Sequence, residues 1–84
     1  MQITFKLYAS LSEHLPPERR RDNQMPLDVP EGATIVQVIA PFGLPMALVH
    51  LVLVNGHFIP PDQRASRPLA EGDVLAIWPP IAGG

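Results

Sequence analysis

Leu51-Val52-Leu53-Val54-Asn55-Gly56-His57-Phe58-Ile59 is the stretch on which the reading of the fold turns. Four consecutive leucine or β-branched residues without a polar interruption read as a strand largely buried within a sheet. Asn-Gly follows at once. Both residues tolerate the positive φ that a two-residue type I′ turn demands, so 57–59 is expected to fold back against 51–54. Pro60-Pro61 ends the returning strand, because proline lacks the N–H that a ladder requires. Side chains alternate between faces, so either Leu51 and Leu53 or Val52 and Val54 must point outward.

Downstream, a loop with Asp62, Arg64 and Arg67 leads through Leu69 to a tight turn at Glu71-Gly72-Asp73. A strand is predicted over Val74–Trp78. Leu75 and Ile77 share its core face, which leaves Val74, Ala76 and an exposed Trp78 on the other. Pro79-Pro80 forbids further pairing, and the chain leaves as Ile81-Ala82-Gly83-Gly84. Upstream, Ile3, Phe5 and Leu7 alternate with Gln2, Thr4, Lys6 and Tyr8, the pattern of a half-buried strand. Ser10-Leu11-Ser12-Glu13 matches a capping box and predicts a short helix with Ser10 as N-cap, stopped by Pro16-Pro17. Residues 18–23 read as a charged loop. Its Arg19-Arg20-Arg21 run is expected in solvent, balanced by Glu18 and Asp22. A second strand is predicted over 24–29, on an edge because of Pro26. Thr34-Ile35-Val36-Gln37 is another capping box and opens the main helix. Ile35, Val38, Ile39 and Phe42 form its buried stripe, and Pro41 and Gly43 limit it to about two turns.

The order is strand, short helix, strand, helix, strand, short strand, strand. Strands that segregate from one main helix give an α+β fold. The specific expectation is a β-grasp, ubiquitin-like roll: a mixed sheet of about five strands on the main helix, with one short helix besides. The domain is placed at 1–78 and an extended tail at 79–84.

Composition narrows the function. The 84 residues allow one domain, and no cysteine excludes disulfides, a thiolate nucleophile and cysteine-held zinc or iron–sulfur. A net charge of −2 gives no electrostatic footprint for nucleic acid or for acidic membranes. The apolar stretch 46–54, interrupted by His50, is far short of the ~20 residues that span a bilayer. No basic-then-apolar signal pattern opens the chain, so a cytoplasmic location is expected. His14, His50 and His57 lack metal-ligand spacing, and no serine sits on a nucleophile elbow. No metal, no bound cofactor and no catalytic machinery of the chain's own are expected, apart from the terminal carboxylate. An exposed Trp78 just before the tail is a candidate interface anchor, and the outward apolar pair of the 51–54 strand calls for a partner to cover it.

The ending carries the most information. Residues 79–84 could reach about 19 Å when extended. Glycines lack a Cβ, so such a tail can thread a narrow channel and present its carboxylate in another protein's active site. Activated to an acyl-adenylate, that carboxylate becomes reactive towards sulfur or an amine.

On these features the chain resembles the MoaD/ThiS family of ubiquitin-like sulfur carriers, its molybdopterin-synthase small-subunit branch most closely. The resemblance runs over the Ile3–Leu7 segment, Leu51 to Gly56, Leu69 to Asp73, and Ile77 to Gly84. The last stretch is the specific one: an aromatic residue, two prolines, a β-branched residue, a small residue and two glycines. Tryptophan stands here where phenylalanine is more usual. The resemblance implies that a MoeB-like (E1-like) enzyme adenylates Gly84 with Mg-ATP, and that a persulfide donor converts it to a thiocarboxylate. A MoaE-like large subunit would then take the tail and pass sulfur to precursor Z, building the dithiolene of molybdopterin. In the threading tail, Pro79 to Gly83, Gly83 and Ala82 would be the slim neck after Ile81, with Pro79-Pro80 the stiff extension. Trp78, with Phe58 or Leu53 nearby, would be the docking surface. Three alternatives remain open: a thiazole-pathway (ThiS-like) carrier, a modifier conjugated through Gly84, and a plain β-grasp binding module.

Overall fold

The computed structural model describes residues 1–80, so Ile81, Ala82, Gly83 and Gly84 lie outside the described residues. Five strands, β1 (Gln2–Leu7), β2 (Gln24–Asp28), β3 (Leu51–Val54), β4 (His57–Phe58) and β5 (Val74–Trp78), form one sheet in the order β2-β1-β5-β3-β4. β1 and β5 run parallel at its centre, and the other neighbours are antiparallel. The two central strands have the most regularly apolar inner faces, with Ile3, Phe5, Leu7, Leu75 and Ile77 all buried. Helix α1 (Ile35–Ile39) supplies Ile35, Val38 and Ile39 to the same core cluster. This is the expected β-grasp.

Local chemistry starts and stops α1. Thr34 Oγ1 accepts the Gln37 N–H at 3.3 Å while Gln37 Oε1 accepts the Thr34 N–H at 2.9 Å, a complete capping box. A 3-10 turn, Ala40–Phe42, extends the helix, and Gly43 closes it at φ 66°. Phe42 reaches back to Phe5 with ring centroids 4.7 Å apart. At the hairpin, Asn55 and Gly56 take φ 52° and 82°, the positive pair that a type I′ turn needs.

Pro26 does lie on an edge strand. Leu7 donates to the Asn23 carbonyl and Val29 to the Met1 carbonyl, so the alternation aims the bonding groups of Gln24, Pro26 and Asp28 at the free side. The missing N–H of Pro26 therefore costs the ladder nothing.

One expectation fails in the first connection and another holds in part. The short helix is a 3-10 segment, Ala9–His14, whose N-cap is Tyr8 and not Ser10. Tyr8 is still tied to the sheet through its N–H to the Ile77 carbonyl, and Ala9 turns the chain at φ 52°. Leu15 is already extended before Pro16, which leaves little room for α-type bonding. Ser12, not Ser10, makes the local bond, donating to the Ala9 carbonyl at 2.8 Å. The Arg19-Arg20-Arg21 run is exposed as expected, but Arg20 has partners other than the expected Glu18 and Asp22. Its guanidinium donates to the Leu15 and Glu13 carbonyls at 3.0 and 2.9 Å, tying down the end of that 3-10 segment. No helix among the described residues is long and apolar enough to cross a membrane.

Candidate functional site

The sheet's register decides what its open face carries. Val52 pairs with Ile77 and Val54 with Leu75, both core residues, so the valines turn inward. Leu51 and Leu53 therefore turn outward, which resolves the parity that the sequence leaves open. Three cross-strand rows follow. Leu51 sits opposite Trp78; Lys6, Ala76, Leu53 and Phe58 form a second row; Thr4 and Val74 begin a third. The apolar members gather on β3, β4 and β5, and the polar ones on β1 and β2. Phe58 is 54% exposed and Leu51 36%, while Leu53 is half-buried.

Trp78 lies on this face as expected but is half-buried, not fully exposed. Its ring stacks on Tyr8 with centroids 4.3 Å apart and an interplanar angle of 8°. The cause is the parallel pairing of β1 and β5, continued one step beyond β1 by the Tyr8-to-Ile77 bond. Such a pair contributes about 0.5–1.5 kcal/mol beyond simple burial, so Trp78 steadies the fold as well as offering a surface. Ala76 is buried despite its outward parity. A methyl group on a central strand is too short to rise past Lys6 and Leu53, its neighbours in the row.

Two polar clusters fix the edges of this face. Asn55 Nδ2 donates to Asp73 Oδ1 at 2.9 Å, and Asn55 Oδ1 accepts the Val74 N–H at 2.8 Å. The hairpin turn is thereby held to the start of β5. At the hairpin's other end, Arg64 is the one buried charged residue among those described. Its guanidinium donates to the carbonyls of Ile59 (3.1 Å), Val49 (3.1 Å) and His50 (3.0 Å), gripping the entry to β3 and the exit from β4 together. Burial holds its pKa below the ordinary arginine value, since a charged group gives up solvation there. His50, so fixed, donates its N–H to the Trp78 carbonyl at 3.3 Å, the last bond before the chain leaves through Pro79 and Pro80. Sequence reasoning missed Arg64, because an arginine in a proline-bounded polar loop carries no mark that separates it from a solvated one.

The structure brings Trp78, Leu53 and Phe58 onto one face, with Pro79 and Pro80 at its margin. The tail positions Ile81, Ala82, Gly83 and Gly84 lie outside the described residues. His50 and His57 are exposed, and no group of three metal-ligating side chains occurs among the described residues. A cleft of about 560 Å³ opens between β2 and α1, lined by residues such as Leu27, Val29, Val38 and Phe42. None of the sequence-predicted site residues lines it.

A family model described as ThiS family matches residues 7–84. The chain belongs to the ThiS family. No curated protein matches it. Among solved structures it is similar to SAMP1 of Haloferax volcanii, with TM-score 0.68 and 23% identity over the whole of both chains. It is similar also to a chain in the complex of subunits 1 and 2 of the molybdopterin-converting factor of Helicobacter pylori 26695, with TM-score 0.62 and 20% identity over the whole of both chains. At these identities the likeness establishes the β-grasp fold that this ThiS-family chain shares with them.

Proposed function

We propose that this chain is a sulfur carrier whose working atom is the carboxylate of Gly84, and that it serves as the small subunit of a molybdopterin synthase. One combination carries the reading: a ThiS-family match that extends through residue 84, and an apolar sheet face at whose margin the chain departs. A recognition face beside a slender end suits a protein that several enzymes must handle by the same grip. Further support comes from the fold shared with a chain of a two-subunit molybdopterin-converting factor.

The chemistry needs activation, because a free carboxylate is a poor electrophile. An E1-like enzyme supplies it with Mg-ATP, joining the carboxylate to AMP and releasing pyrophosphate. A persulfide sulfur attacks the acyl carbon and expels AMP. A thiol then cleaves the resulting acyl disulfide and leaves a thiocarboxylate on Gly84. In the large subunit, sulfur passes to the pterin precursor and water restores the carboxylate. This chain's part is to be held by Trp78, Leu53 and Phe58 while Pro79 to Gly83 reach inward. Glycine at 83 keeps that reach thin.

The likeness to small archaeal modifier protein 1 of H. volcanii supports a second use of the same activated end, attachment to lysines of other proteins. Adding one residue after Gly84 tests the carrier reading. It should abolish sulfur loading while leaving binding to the large subunit within about threefold of the unextended chain, since the docking face is untouched. A chain so extended that still accepts sulfur would remove Gly84 from the mechanism.

A further inference from the structure

Lys6 is the sequence's only lysine, and its place is unusual. It sits on the open face, half-buried, in the same cross-strand row as Ala76, Leu53 and Phe58. The outer-face residues around it are Gln24, Thr4, Tyr8 and Ala76, none of which carries a negative charge. Asp22, in the exposed turn two residues before Gln24, lies nearest in sequence to this row but outside the β1–β2 register, and the carboxylates within or beside the sheet are engaged or distant. Asp28 pairs with Gln2 at the far end of β1, Glu71 accepts the Gln2 N–H at 2.9 Å, and Asp73 is held by Asn55 and Ala70.

The geometry makes Lys6 hard for a docked partner to avoid. Strands lie about 4.8 Å apart, so the backbone of Lys6 is roughly 10 Å from that of Leu53 and 15 Å from that of Phe58. A standard interface covers about 800 Å² on each partner, a disc roughly 30 Å across. One that covers Trp78, Leu53 and Phe58 therefore covers Lys6 too. An ammonium covered without a counter-charge loses its hydration and gains nothing in return.

We infer that the partner surface that seats on this face is apolar over Trp78, Leu53 and Phe58 and presents a carboxylate to Lys6. Lys6 is then a specificity residue: it admits an acidic-centred surface and rejects a neutral or basic one of the same shape. The inference rests on reading the open face as the docking surface for the large synthase subunit.

The test is titration of the chain against the large synthase subunit encoded in the same genome, at low and high salt. Lys6→Met keeps the stem and removes the charge; it should weaken binding about 30-fold at low salt and flatten the salt dependence. Lys6→Glu should weaken binding further, and Lys6→Arg should stay within about fivefold of the parent chain. Lys6→Met binding as tightly as the parent, with the salt dependence unchanged, overturns the carboxylate; the ammonium then reaches solvent past β2. Phe58→Ala is the control for the underlying reading. If it weakens binding while Lys6→Met does not, only the present inference fails. If neither changes binding, the docking face itself is wrong and the inference falls with it.

Discussion

Replacing Arg64 with methionine keeps the aliphatic stem and deletes the guanidinium, so it isolates the three-carbonyl grip at the base of the β3–β4 hairpin. Each bond from a charged donor is worth about 1.5–3 kcal/mol, and a buried carbonyl left without a partner costs about 1–3 kcal/mol. Three such bonds meet on one group, at 3.0–3.1 Å, and only 7% of that residue is exposed. They share one side chain and do not add freely, and water can reach the His50 carbonyl at the margin. A loss of about 4 kcal/mol follows. Total stability for a domain of this size is on the order of 4–13 kcal/mol, so the variant should lose between about a third and all of it. In guanidinium chloride, with a slope of about 2 kcal/mol/M, the midpoint should fall by about 2 M. Trp78, the sole tryptophan, reports the transition by fluorescence. Arg64→Lys can satisfy fewer of the carbonyls with one ammonium and should lose about half as much. In that variant, amide exchange should quicken first at His50 and Ile59, whose N–H groups bond Trp78 and Val52 within the gripped segment. A loss below ~1 kcal/mol for methionine would refute the reasoning, because the carbonyls would then be served by water and the hairpin held by its side chains alone.

Other substitutions separate docking from folding. Phe58→Ala should leave the melting temperature almost unchanged, since that ring is largely exposed, yet weaken large-subunit binding by about 1–2 kcal/mol in a calorimetric titration. Trp78→Ala should do both kinds of harm, costing about 1–2 kcal/mol of stability through the lost Tyr8 stack and about 2 kcal/mol or more of binding. Thr34→Ala removes the α1 cap and should cost about 1 kcal/mol in thermal unfolding, with binding unaffected. Gly83→Val is expected to block adenylation or sulfur transfer while the thermal midpoint stays near the parent value, read by a pyrophosphate-release assay beside a melt.

Much of the fold is legible because its signals are local. The alternation in β1, the Asn55-Gly56 turn and the Thr34–Gln37 cap each declare themselves within a few residues, and each is present in the structure. Ser10 shows where locality misleads. Its capping-box spacing fits, but the chain cannot leave the sheet until Tyr8 has bonded Ile77, so a 3-10 turn begins earlier. The parity of β3 is invisible in four apolar residues in a row. It is fixed by pairing with β5, whose own alternation is readable. The Tyr8–Trp78 stack and the Arg64 grip depend on contacts between residues far apart in sequence, and no local pattern announces them. The candidate face was therefore half-legible: its members could be named, while its partial burial and its supports could not.

Intact-mass analysis of the chain after incubation with a cognate E1-like enzyme, Mg-ATP and a persulfide donor tests the central claim most directly. The carrier account predicts a product heavier by the difference between one sulfur and one oxygen, with the added mass on the C-terminal fragment that contains Gly84. Unchanged mass, with no adenylate formed, would contradict it.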